Sequence, residues 1–162
     1  MDDHRFDDRG FTLIELMITV AIMGTLTSIA LLGFKDMYAN YKLKGAARQL
    51  FSDMQYARIS SIKGGKIWKI TFAADGGYAV APEIMGATDK TKQVDIPSEF
   101  KGIKLCDFSN PSGGLKGTHF KPDGTSKGQG YTVSDTKNSY KVYSLGGTGV
   151  VKIQKGVGFP CP

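Results

Sequence analysis

One carboxylate stands inside an apolar run. Glu15 is the single charged residue in the 24 positions 11–34, FTLIELMITVAIMGTLTSIALLGF. An ionised side chain near the middle of a hydrocarbon span costs a few kcal/mol, so it needs a partner. An amine one helical turn away on the same face, such as a chain N-terminus four residues upstream, would serve. Among packed helices the same acid could reach the amine of a neighbouring chain and fix axial register. The alternative is an acid that reaches the water interface and stays solvated.

Other side chains with chemical potential are sparse. Cys106 and Cys161 are the only cysteines, and in an exported domain such a pair reads as one disulfide closing a loop of about 56 residues. A chain-entropy argument gives it about 4 kcal/mol of stabilisation. Two free thiols are the other reading. His119 is the only histidine after residue 10 and falls in a strand pattern, which fits a structural role. Asp123 belongs to a Pro-Asp-Gly turn rather than to acid–base work. The run GGTG at 146–149 lacks the Lys-Ser/Thr of a phosphate loop and reads as a hairpin turn. Asp75, Asp89 and Asp95 have no calcium-loop spacing, and no Cys/His spacing fits a metal. We therefore expect no catalytic residue, no cofactor and no metal, and a chain that is not an enzyme.

Lysines gather toward the end. Lys116, Lys121, Lys127, Lys137, Lys141, Lys152 and Lys155 face only Asp123 and Asp135 in charge balance, with Tyr131, Tyr140 and Tyr143 among them. Such a face can neutralise phosphates and stack bases, or simply be solvated.

The elements that must carry these residues follow from pattern. A helix over residues 11–34 would be roughly 36 Å long, enough to cross a bilayer core. The helix continues beyond: no proline occurs between residues 11 and 81, and Leu43, Ala46, Ala47, Leu50, Phe51, Met54 and Ala57 form one apolar stripe. Lys42, Lys44, Arg48, Gln49, Asp53 and Arg58 are expected largely off it. Lys63-Gly64-Gly65 ends the helix. Residues 66–73 (KIWKITFA) alternate as a strand, Asp75-Gly76-Gly77 turns, and 78–81 return beside it. Residues 82–101 read as a loop with a short strand near 94–96, and 103–108 as another strand. Residues 110–117 (NPSGGLKG) are punctuation, 118–120 lead into the turn at 121–124, and strands at 131–134, 140–145 and 150–154 complete an antiparallel set. The fold class is α+β, one long N-terminal helix packed by its second half on an antiparallel β-sheet domain. Its expected divisions are 1–10, 11–34, 35–63 and 64–162.

Formal net charge is +6 over 162 residues. Residues 1–10 carry Asp2, Asp3, Asp7 and Asp8 against Arg5 and Arg9, so the rest of the chain is +8. That excess favours polyanions or anionic membrane surfaces. Residues 1–10 are unlike a secretory signal, whose start is basic and whose cut follows the apolar run.

The segment Arg9-Gly10-Phe11-Thr12-Leu13-Ile14-Glu15 resembles the processing site of type IV pilins and type II secretion pseudopilins. The resemblance implies a leader at 1–10 removed by prepilin peptidase after Gly10, with Phe11 methylated as the new N-terminus and Glu15 acting in assembly. It also implies a single pass in the bacterial inner membrane, a C-terminal domain in the periplasm, and an inner-membrane assembly platform and other pilin or pseudopilin subunits as partners. Lysine and arginine counts favour the flank at Lys35, Lys42, Lys44 and Arg48 as cytoplasmic, but long translocated domains escape that rule, so the resemblance sets the orientation.

A second resemblance lies downstream. Phe120, Pro122, Asp123 and Gly124, then Gly147, Gly149, Val150, Val151 and Ile153, with Ala57-Arg58 near the helix end, are similar to the domain shared by pseudopilin H and FimT minor pilins. It implies a minor subunit of a secretion pseudopilus or a type IV pilus. FimT-like members are linked to DNA capture in natural transformation, and the alternative function is therefore DNA uptake through Lys121, Lys127, Lys141, Lys152 and Lys155.

Overall fold

The structure, a computed structural model, describes residues 10–73, 75–86, 89–107, 115–156 and 161, and for 31–36 the backbone alone. The readings placed on residues 1–9, on Phe108 and on 110–114 lie outside the described residues. The chain divides between Tyr38 and Ala39 into two compact units. One helix, α1, runs over Leu13–Gly64 and contributes to both.

In the first unit α1 is apolar and bare. Leu13–Ala30 has a mean hydropathy of 1.9 and buries nothing within the chain. Apart from Glu15, its polar side chains are hydroxyls satisfied inside the helix. Thr19, Thr25, Thr27 and Ser28 donate their hydroxyls to the carbonyls of Leu16, Ile22, Met23 and Gly24 at 2.7–2.8 Å. Hydrocarbon offers no hydrogen bonds, so that internal satisfaction is what a spanning helix requires. By length and composition this stretch can cross a membrane.

The second unit holds the remainder of α1, a short helix α2 (Ile96–Glu99) and eight strands. They are β1 (Trp68–Phe72), β2 (Tyr78–Pro82), β3 (Lys92–Val94), β4 (Lys104–Asp107), β5 (Thr118–Phe120), β6 (Gly130–Ser134), β7 (Ser139–Ser144) and β8 (Val151–Gly156). All pairings are antiparallel, and the strands sort into two sheets rather than one, ordered β3-β2-β1-β5 and β4-β6-β7-β8. Leu43, Ala46, Ala47, Leu50, Met54 and Ala57 of α1 are fully buried against Ile70, Val80, Phe120, Tyr131, Val133 and Val142. Each large apolar side chain so buried contributes about 1.5–3 kcal/mol. The rings of Phe72 and Tyr131, with centroids 4.4 Å apart, join the two sheets. Gly65, at φ +60°, ends α1 as expected of a glycine in the left-handed region.

Three expectations need correction. The short strand expected near 94–96 lies at 92–94, and residues 96–99 are helical rather than loop, because Asp95 caps the turn through Ser98 N–H at 3.2 Å and Pro97 supplies a helix-compatible φ. Asp53 is buried, not off the stripe. Arg58 is half-buried and bonds backbone of the β domain.

Candidate functional site

The candidate site in the first unit is its N-terminal turn. Gly10, Phe11 and Thr12 precede the first helical residue, and Phe11 is 83% exposed. Thr12 caps α1: its Oγ1 accepts the N–H of Glu15 at 3.3 Å, and its carbonyl accepts the N–H of Leu16 at 3.2 Å. Thr12-x-x-Glu15 is the spacing of a capping box, a signal the sequence reading passed over. Glu15 therefore sits in the first turn, where the helix dipole favours an anion. It is exposed and has no ion-pair partner among the described residues. The turn presents an exposed carboxylate four residues after Phe11, held by a cap.

In the second unit the downstream motif residues converge on Arg58. Its Nε donates to the carbonyl of Gly124 at 3.1 Å, and its Nη2 to that of Thr148 at 3.2 Å. Ser61 lies in the next turn of α1, and its hydroxyl reaches the carbonyl of Lys121 at 3.0 Å. The turn after β5 is closed by Gly124 N–H to Lys121 O and by Thr125 N–H and Oγ1 to Asp123 Oδ1, at 2.8, 2.9 and 2.6 Å. The bonds from Thr125 hold the Asp123 carboxyl below the usual carboxylate range. The β7–β8 turn packs directly on it, since a Cβ on Gly149 would lie 1.9 Å from Gly124 O. The two motifs thus form one fastening, in which a guanidinium on α1 holds a turn from each sheet.

Asp53 fastens the other side. Its carboxylate accepts Tyr78 Oη at 2.7 Å and Lys92 Nζ at 2.5 Å, tying α1 to β2 and β3. Burial, then the bond to Asp53, pushes the Tyr78 phenol well above its ordinary pKa. Burial, then the charge of Asp107, does the same for Tyr131, whose hydroxyl donates to Lys116 O at 2.8 Å.

Cys106 on β4 and Cys161 are bonded, with Cα atoms 5.8 Å apart, and Cys161 N–H donates to Ser134 Oγ at 2.8 Å. His119 is half-buried on β5 opposite Lys69. The five lysines do not share one face. Lys127 and Lys141 line a groove with Tyr143, and Lys152 is directly opposite Tyr143 in the β7–β8 register. Lys155 falls on the other side of β8 by strand alternation, and Lys121 is in the turn after β5. Among the described residues no group of three or more His, Cys, Asp or Glu side chains could hold a metal.

The family signature of type II transport protein GspH matches residues 46–149, which take in the stripe from Ala46 on, both fastenings and seven of the strands. This chain belongs to the GspH family. The prokaryotic N-terminal methylation motif matches residues 5–31 of this GspH-family chain, covering the capped turn and most of the apolar run. Fimbrial protein EcpC of Eikenella corrodens is 33% identical over 104 residues, covering 53% of this chain and 68% of that protein. A fimbrial protein of Pseudomonas aeruginosa is 43% identical over 58 residues, 36% of this chain and 37% of its own length.

Among solved structures, the type IV minor pilin FimU of Pseudomonas aeruginosa superposes with a TM-score of 0.56 at 14% identity, over 71% of this chain and 90% of that one. The minor pseudopilin EpsH from the Type 2 Secretion System of Vibrio cholerae gives 0.55 at 8% identity, over 70% and 97%. At such identities the likeness is one of fold, and the fold is that of the type IV pilins. The GspH-family chain is a minor pilin or pseudopilin type, in a structural family whose members assemble with other such subunits. Its methylation motif and apolar helix mark a membrane-anchored protein.

Proposed function

We propose that this chain is cut by prepilin peptidase after Gly10 and methylated at Phe11. It is held in the bacterial inner membrane with its C-terminal domain in the periplasm. An assembly platform then builds it into a type II secretion pseudopilus or a type IV pilus. Its work is mechanical rather than enzymatic. The apolar stretch supplies packing surface, and Glu15 pairs with the Phe11 amine of a neighbouring subunit to set register. The second unit contacts other subunits.

The observation that carries this reading is a Glu15 with no ion-pair partner among the described residues, in a capped first turn, one turn beyond Phe11 and inside the methylation motif. A carboxylate retained in an apolar span needs a cation, and an assembled neighbour brings one. Glu15→Ala tests it. The variant should insert in membranes as the parent does, because it loses only a polar group, yet its share in sheared filaments should fall at least tenfold. Normal incorporation would sink the pairing.

A further inference from the structure

Lysines gather at one end of the second unit, the end at which α1 enters it. Asn138 Nδ2 donates to Asn40 Oδ1 at 3.1 Å, which brings the β6–β7 turn beside the first residues of this part of α1. Phe100, just after α2, packs on α1 at Gly45, where an added Cβ would lie 3.0 Å from its ring. The strand registers bring two more stretches to the same end. Lys104 at the start of β4 is opposite Ser134, and Lys155 near the end of β8 is opposite Tyr140, both beside the β6–β7 turn.

Lys42 and Lys44 of α1, Lys101, Lys104, Lys137 in the β6–β7 turn and Lys155 therefore share this end, and all but the half-buried Lys42 are exposed. Two carboxylates belong to the same stretches. Glu99 is exposed at the end of α2, and Asp135 accepts the N–H groups of Lys137 and Asn138 at 2.7 and 2.5 Å. Positive charge prevails. Tyr41, 66% exposed, stands on α1 beside Lys42 and Lys44.

We propose that this end rests on an anionic lipid headgroup surface while the chain is anchored in a membrane. The proposal depends on membrane residence and not on the pairing of Glu15. Chain connectivity argues for it. Ala39, the first residue of the second unit, comes nine residues after Ala30, the last of the apolar span. Such a segment reaches about 30 Å at most. At the high effective concentration that a short tether gives, a weak attraction suffices. Each lysine close to an anionic leaflet strengthens the contact about fivefold, and a tyrosine ring suits the headgroup level. A nucleic acid fits less well. The lysines come from five stretches gathered about the entry of α1, and a duplex reaching them would have to fit within the short span of chain that leads to the bilayer.

The test places the full chain in vesicles of phosphatidylcholine alone or mixed with phosphatidylglycerol. A spin label on Thr136→Cys, with Cys106–Cys161 intact, reads exposure of the β6–β7 turn to a neutral water-soluble relaxant. Exposure should fall at least threefold in the mixed vesicles only, and return at high salt. The double variant Lys101→Glu, Lys155→Glu should abolish the protection, whereas Lys101→Arg, Lys155→Arg should keep it. Lys44→Glu with Lys101→Glu repeats the reversal should the first pair disturb the fold. A label on Thr148→Cys, in the β7–β8 turn at the other end of β7, should stay exposed in both vesicles. Equal exposure of the Thr136→Cys label in the two vesicle types overturns the proposal, as does protection that survives both charge reversals. So does DNA binding through these lysines while phosphatidylglycerol gives no protection. Flotation of the same samples separates the two readings. Chains that float with the vesicles but show no protection remove the surface contact and leave membrane anchoring standing, whereas chains that do not float remove both.

Discussion

Arg58 is the residue on which the second unit turns. Its two bonds are charge-assisted, and each links α1 to a turn of a different sheet. Arg58→Ala should therefore cost about 3 kcal/mol, the usual loss when carbonyls forfeit a charged donor, and lower the melting temperature by roughly 10 °C. Arg58→Lys should recover only part, because an ammonium cannot span both carbonyls as a fork does. Thermal melts of the three proteins decide it; equal melting temperatures would refute the fastening. Glycine makes a sharper comparison. Gly147 and Gly149 both have positive φ, +81° and +63°, but only Gly149 lies against another backbone. Gly147→Ala should cost about 1 kcal/mol from the left-handed backbone alone, and Gly149→Ala distinctly more.

The buried phenols set a pH limit. Tyr78 and Tyr131 both have folded pKa values raised above the ordinary 10.0. Below about pH 10 they are neutral in both states and their contribution is fully present. Above it the unfolded phenols ionise while the folded ones resist, so stability falls by up to about 1.4 kcal/mol per pH unit for each tyrosine. Denaturant titrations between pH 9 and 11 should show that fall, and Tyr78→Phe should reduce its slope by about half.

At the scale of elements, α1 was legible from composition and spacing, as were the turn at 121–124 and most strands within a residue or two. Position alone could have found Asp53 and Arg58 as well. Asp53 follows Leu50 by three and Arg58 follows Met54 by four, so both fall on the buried stripe. Their polar type argued against burial, and the partners that make burial tolerable, Tyr78, Lys92, Gly124 and Thr148, are remote in sequence. The division into two sheets was illegible for a similar reason. Strand alternation tells which face is inward but not which distant strand pairs with which. The capped first turn was readable in Thr12-x-x-Glu15. Thr12→Ala should cost the first turn about 1 kcal/mol. If the cap serves to hold Glu15, filament incorporation should fall while membrane insertion stays; an unchanged share in filaments would leave Thr12 a local cap alone.

The whole molecule joins an apolar stretch that buries nothing within the chain to a unit with a complete core of its own. The first needs a surrounding of lipid or of like helices, whereas the second is held by packing, two polar fastenings and a disulfide. Severing the Cys106–Cys161 link by Cys161→Ser should therefore lower stability by about 4 kcal/mol through the freed loop without changing where the chain resides. Residence and assembly depend instead on how the N-terminus is finished. Intact-mass spectrometry of the chain recovered from native membranes and filaments measures that directly. The account predicts a species beginning at a methylated Phe11. A membrane-free chain that still carries residues 1–10 would contradict it.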